Sequence, residues 1–203
     1  MTTTARTTSG RLVLLHLRSR RSTAAAALLV AVAVSLRASR TWVNGGLLGQ
    51  VLTMIMLTAV ASVVATSTHN PFGEIEKTAP TPTVALRLLH LGCLIVVAGG
   101  LTVLAEPTNT PYAGPGYAIR DLAGFIGLAL LGTAALGPTF SWALPLAYTV
   151  ACGNALDAGL TAGWTWPTRA AGDRTGILAA TALLVVGIAI SVTARFTRDG
   201  RDT

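Results

Sequence analysis

Leu47-Leu48-Gly49-Gln50-Val51-Leu52-Thr53-Met54-Ile55-Met56-Leu57-Thr58-Ala59-Val60-Ala61-Ser62-Val63-Val64-Ala65-Thr66-Ser67 carries no charged side chain. Wound as an α-helix at about 1.5 Å per residue, it reaches across the ~30 Å hydrocarbon core of a bilayer. Lipid offers no hydrogen bonds, so a spanning segment must satisfy its backbone internally as a helix or pair it in a closed barrel. A barrel strand reads as about ten residues of alternating hydrophobicity, whereas this run is continuous. A spanning helix is therefore expected over 47–67.

Five more stretches of the same kind are expected as spans at 22–41, 84–105, 119–137, 140–156 and 174–195. The expected fold is an all-α integral membrane protein, a bundle of about six transmembrane helices filling residues 22–195. The first span has a short apolar part, Ala24 to Leu36, and relies at its ends on Ser22, Thr23 and snorkelling Arg37 or Arg40. A basic region followed by that apolar run resembles a signal peptide. However, Leu36-Arg37-Ala38-Ser39-Arg40 has no small-x-small cleavage site, so the run is read as a retained span. The fourth span is placed just after Arg120-Asp121 and is broken by Gly137-Pro138. Pro145 lies near the start of the fifth. These two spans can also be read as one re-entrant hairpin.

Composition agrees with a membrane setting. Hydrophobic residues make up 52% of the chain, charged residues 11%, and mean hydropathy is +0.62. Soluble domains carry about 25% charged residues, and this chain could not cover a water-facing surface. The charges are segregated into short clusters. A net charge of +7 and a pI near 10.7 would raise nucleic-acid binding in a soluble protein. Here the basic residues gather at Arg11–Arg21 and Arg195–Arg201, both against apolar runs. In that position they set topology and meet anionic headgroups, so the partner is membrane lipid and not nucleic acid.

Residues 1–10 are Thr-rich and expected to be a disordered tail, and 196–203 a cytoplasmic tail. Between Arg11 and Arg21 the apolar residues 12–15 and 17 are flanked by Arg11, Arg18, Arg20 and Arg21, which predicts a short amphipathic helix at the interface over 11–21. With both termini inside, the cytoplasmic segments hold ten basic residues: Arg6, Arg11, Arg18, Arg20, Arg21, Lys77, Arg87, Arg195, Arg198 and Arg201. The outer segments hold five: Arg37, Arg40, Arg120, Arg169 and Arg174. The excess predicts a multi-pass protein of the cell membrane with both termini cytoplasmic. Trp42, Trp164 and Trp166 are expected to anchor at interfacial depth.

Signs of chemistry are sparse. No phosphate-binding loop, zinc-ligand cluster or Ser/His/Asp arrangement is present in the sequence. Cys93 and Cys152 lie in apolar runs, outside any CxxC spacing, and read as two buried thiols acting as small apolar side chains. Glu106 and Asp157 fall at span ends. His90, three residues after Arg87 on one helical face, reads as interfacial. Glycines at 92, 99, 100, 124, 127 and 132 suit close helix packing in lipid. No catalytic group, cofactor-binding residue or metal ligand is expected in the chain.

The polar stretch between the second and third spans is more telling. It reads Ser67-Thr-His-Asn-Pro71-Phe72-Gly-Glu74-Ile75-Glu76-Lys77-Thr-Ala-Pro80-Thr-Pro82, a charged turn bracketed by prolines and placed on the cytoplasmic face. It reads either as a solvated turn or as a docking element for a cytosolic partner.

The order of features resembles the small six-span type-2 ABC transporter permeases of actinobacteria. Those carry a basic amphipathic N-terminal helix and a coupling helix in the cytoplasmic loop between spans 2 and 3. The matching stretches here are Glu74-Ile-Glu-Lys-Thr-Ala-Pro80 with Leu86-Arg-Leu-Leu89, the run Arg120-Asp121-Leu-Ala-Gly-Phe-Ile-Gly-Leu, and Trp164-Thr-Trp166-Pro167 followed by Gly172-Asp-Arg174. The likeness covers residues 10–200. Arg37 and Arg40 on the outer side depart from the pattern.

The resemblance implies the membrane half of an ATP-driven exporter, and the absence of charge in the interior of the expected spans points to an apolar or amphipathic substrate. It implies a separate ABC ATPase subunit as partner, holding ATP and Mg, and a second permease half in a homodimer or heterodimer. Phe72, Glu74, Ile75, Glu76 and Lys77 are then the residues that couple to the ATPase. Two other readings remain open on the residues: a membrane scaffold or assembly subunit, and an ion-coupled carrier.

Overall fold

The computed structural model describes residues 22–42, 46–67, 83–106, 114–157 and 164–199. Among them are six α-helices and no strand: α1 Ser22–Trp42, α2 Gly46–Ser67, α3 Thr83–Ala105, α4 Pro115–Leu136, α5 Ala143–Asp157 and α6 Arg174–Asp199. Short 3-10 turns at Pro138–Phe140 and Trp166–Thr168 precede α5 and α6. The expected tail 1–10, the expected interfacial helix 11–21 and the stretch 68–82 lie outside the described residues.

Among the described residues, four helices are long and apolar enough to cross a membrane: Leu48–Ser67, Leu88–Ala105, Pro115–Leu136 and Arg174–Thr193. They mark the chain as a membrane protein. Their outward side chains agree, since Val96 and Leu104 are each 74% exposed, a state that water disfavours and acyl chains accept. Among the described residues, α1 contributes a shorter apolar stretch, Ala27–Ala38. In α5 there are 15 residues, about 22 Å of helix, short of the hydrocarbon thickness.

The span expected at 119–137 begins four residues earlier, at Pro115. Gly114, with φ 121°, occupies a conformation that side-chain-bearing residues rarely adopt, and Pro115 follows at the first helical position, where its missing N–H costs nothing. At the other end Gly137 (φ 90°) gives its N–H to Thr133 O and turns the chain into Pro138. α4 and α5 are therefore separate helices.

At the centre sits α4, which touches α2, α3, α5 and α6 and packs most extensively on α6. A Cβ placed on Gly127 would lie 2.4 Å from the Leu183 carbonyl carbon, and one on Gly187 2.6 Å from Gly127 O. Only glycine lets these backbones meet, which is how helices gain van der Waals contact where lipid removes the hydrophobic drive. Arg120 of α4 lies beside Gly176 of α6, and Gly127 beside Leu183, so the two helices run parallel. The chain must return between them, and α5 does so. It runs antiparallel to α2, with Thr58 Oγ1 3.0 Å from Thr149 Oγ1 and Gly153 against Val51. Hydroxyls inside the helices are satisfied by the preceding turn, as in Thr53 to Gly49 O, Thr102 to Ala98 O and Thr133 to Ala129 O.

Candidate functional site: a buried arginine staple

The early start of α4 places Arg120 and Asp121 within the helix instead of before it. Both are buried, at 6% and 0% exposure. Arg120 Nε donates to Asp121 Oδ1 at 2.9 Å, and Nη2 also lies 2.8 Å from that oxygen. The rest of the guanidinium reaches across to the segment before α6. Nη1 donates to Ala170 O at 2.6 Å and Nη2 to Arg169 O at 2.9 Å. The guanidinium carbon sits 4.9 Å from the centre of the Tyr117 ring, one helical turn earlier.

Two tyrosines fasten the same segment. The Tyr117 hydroxyl donates to Pro167 O and the Tyr148 hydroxyl to Trp164 O. Trp166 is pressed inward beside Tyr148. Its ring stacks on Tyr148 at 5.9 Å and tilts against Phe125 at 5.5 Å. A Cβ on Gly124 would come within 2.4 Å of the indole, so this glycine makes the room. Residues 164–173 thus form a strap held over one end of α4, α5 and α6 by three side chains that grip backbone carbonyls.

An outer cluster finishes the strap. Asp173 caps α6: its Oδ2 accepts from Gly176 N at 2.8 Å, from Thr175 Oγ1 at 2.8 Å and from Arg169 Nη1 at 3.0 Å. The Gly176 amide, then the Thr175 hydroxyl and Arg169, hold the Asp173 carboxyl below the ordinary carboxylate range.

The arrangement is chemically conservative. Arg120 Nε and Nη2 share Asp121 Oδ1, and Nη1 and Nη2 also donate to carbonyls of the strap. An ionisable pair at membrane depth is costly and marks a site where charge is used. The use seen here is to fasten the strap to the start of α4. Among the described residues, no group of three His, Cys, Asp or Glu is placed to hold a metal ion.

From the sequence Arg120 is expected in an outer segment. The structure corrects this, and the missed signal was Gly114-Pro115, a helix start five residues upstream of the arginine. The expected pair of interfacial tryptophans is also split. Trp164 is half exposed at 49%, but Trp166 is 2% exposed and belongs to the core. The physical reason is the glycine at 124, which opens a slot that a large ring fills. The two cysteines part as well: Cys152 is buried, while Cys93 faces outward from α3. Glu106, expected at a span end, is buried immediately after α3.

Trp42 closes α1, but its side chain is not among those described. Arg11, Arg18, Arg20 and Arg21, and the segment with Phe72, Glu74, Ile75, Glu76 and Lys77, lie outside the described residues. Comparison with known proteins matches the chain to no family, no curated protein and no solved structure.

Proposed function

We propose that this chain is the membrane-spanning subunit of an ATP-binding cassette exporter in the cell membrane. A separate ATPase holds ATP and Mg, and a second permease half completes the complex, which moves an apolar or amphipathic substrate. The observation that carries the reading is the proline-bracketed charged stretch Asn70–Pro80 and its place in the chain. It joins the end of α2 at Ser67 to the start of α3 at Thr83. In the proposed topology α1 to α6 all cross, α1 and α5 with help from their flanking residues, and both termini are cytoplasmic. The loop then lies on the cytoplasmic face with both basic clusters.

The helix packing supplies a mechanism that fits. Because α4 and α6 meet backbone to backbone, they move as one body. The staple closes that body at the end opposite the loop. ATPase closure pushes on residues 70–80, and the spans rearrange around the rigid α4–α6 pair.

A second reading, a non-transporting assembly subunit, draws on the same contact, since α4 and α6 leave no path between them at Gly127 and Gly187. One experiment separates the two. Glu74 and Glu76 are both changed to Lys, and the complex is purified from the native host. The exporter reading expects loss of the ATPase, or of ATP-dependent transport, with membrane insertion intact. If a co-purifying ATPase is retained and transport is unchanged, the coupling role is lost. If no ATPase accompanies the wild type, the exporter reading itself fails.

A further inference from the structure

Ser141 lies at the joint where the turn Pro138–Phe140 hands the chain to α5, and it is buried, at 0% exposure. Its amide donates to Pro138 O at 3.5 Å. Its two oxygens are not provided for in the same way. The hydroxyl Oγ has no hydrogen-bond partner among the described residues. The carbonyl lacks its helical donor for a covalent reason: the residue four places on is Pro145, which has no N–H. The next amide, on Leu146, goes to Trp142 O at 3.0 Å, and among the described residues no other backbone amide takes the place. Gly132 of α4 flanks the same carbonyl. A Cβ there would stand 3.1 Å from Ser141 O, so α4 sets no side chain against it.

Two unpaired oxygens on one buried residue are costly, and nearly all such groups in folded proteins have a partner. At membrane depth a proline is tolerated where side chains or ordered waters take over the carbonyl it frees. Side chains do not do so here. Thr133 Oγ1 on α4 donates to Ala129 O at 2.8 Å, and Thr149 Oγ1 on α5 donates to Pro145 O at 2.8 Å, so both spend their protons on their own helices. Thr139, within the joint, is exposed.

The chemistry left over selects the ligand. It must give a proton to a carbonyl and pair with a hydroxyl that can donate or accept. An anion would be repelled by the carbonyl. A bare metal cation gathers about six oxygens, and this residue supplies two. Water meets both demands and is small enough for a joint between two helices.

We propose that Ser141 holds one resident water molecule, which donates to its carbonyl, pairs with its hydroxyl and stands in for the amide that Pro145 lacks. The water fixes the corner between α4 and α5. The site belongs to the bundle itself and does not rest on the exporter reading.

The test uses the full chain in phosphatidylcholine bilayers and solid-state NMR. Ser141-Trp142 is the sole Ser-Trp step in the sequence, so carbonyl-13C serine with 15N tryptophan picks out this one carbonyl. Met54-Ile55 is the sole Met-Ile step, and Met54, 0% exposed within α2, gives a dry reference by the same labelling. Magnetisation passed from water should build up severalfold faster at the Ser141 carbonyl than at Met54. Transfer as slow as at Met54 overturns the proposal. Pro145→Ala returns an amide to Ser141 O and should abolish the fast transfer. Fast transfer that persists in this variant would mean that the carbonyl meets bulk water, and would overturn the proposal too. A third arm reads the hydroxyl. Ser141→Ala should lower the thermal midpoint in detergent, because the water loses a partner. A hydroxyl with nothing bound to it predicts the opposite sign, since its removal relieves an unpaired buried group. A midpoint that stays or rises therefore counts against the water. The wild-type transfer measurement stands even if either variant misfolds.

Discussion

Trp166 occupies the space that Gly124 leaves open: a Cβ on that glycine would lie 2.4 Å from the indole Cη2. A loop residue 42 positions later is thereby locked into the middle of a spanning helix. The strap over residues 164–173 rests on this contact as much as on its hydrogen bonds.

Gly124→Ala should push the indole out of its slot. Overpacking of this kind costs about 1–3 kcal/mol. A lower thermal midpoint in detergent is expected, together with stronger quenching of tryptophan emission by a water-soluble quencher in a Trp164→Phe background. Unchanged quenching would mean that the slot is wider than the structure shows.

Gly127→Ala and Gly187→Ala should be worse, because the atoms in the way are backbone. A Cβ at Gly127 meets the Leu183 carbonyl carbon at 2.4 Å, and backbone cannot rotate aside. Gly92→Ala and Gly100→Ala on α3 meet nothing within 4 Å and should be neutral or slightly stabilising. Thermal midpoints of the four variants, measured side by side, check the order.

Arg120→Met should be among the most damaging single changes. It leaves Asp121 buried without its cation, a loss of about 3–5 kcal/mol for pairs of this kind. The double change Arg120→Met with Asp121→Leu should recover part of that loss, because no buried charge remains. Recovery should stay incomplete, since the Arg169 and Ala170 carbonyls still lose their donors. A double variant no more stable than the single one would show that the carbonyl contacts, and not the ion pair, dominate.

Asp173 gives the strap an acid limit. Its carboxyl is held below the ordinary value of 3.8 in the fold, so its stabilising effect is fully present above that value. The effect is lost as pH falls through the lowered native value. The gap in thermal midpoint between wild type and Asp173→Asn should be flat from about pH 8 to about pH 5, and should close in stronger acid. A gap that changes between about pH 5 and pH 8 would point to another group.

Topology is tested by labelling. In a background with Cys93→Ala and Cys152→Ala, an impermeant thiol reagent applied to intact cells should reach Tyr112→Cys and Trp164→Cys but not Lys77→Cys. Trp166 is unsuitable as a reporter because it is buried. Labelling at position 77 would place the loop outside and remove the basis of the coupling proposal.

The sequence alone determined that the chain is helical and built for lipid. Long uncharged runs such as 47–67 admit no other backbone state in a bilayer, and the helix found there starts and ends within a residue of the expected bounds. Local composition is enough for this because each spanning helix satisfies its own hydrogen bonds. The site was not legible in the same way. Arg120 and Asp121 look like loop charges beside an apolar run, and Trp164 and Trp166 look like a matched pair. What separates them is a slot at Gly124, a parallel contact at Gly127 and Gly187, and carbonyls 49 and 50 residues away that complete the arginine's hydrogen bonds. Only the tertiary structure decides such matters, because a charge's cost in the membrane depends on what other parts of the chain bring to it.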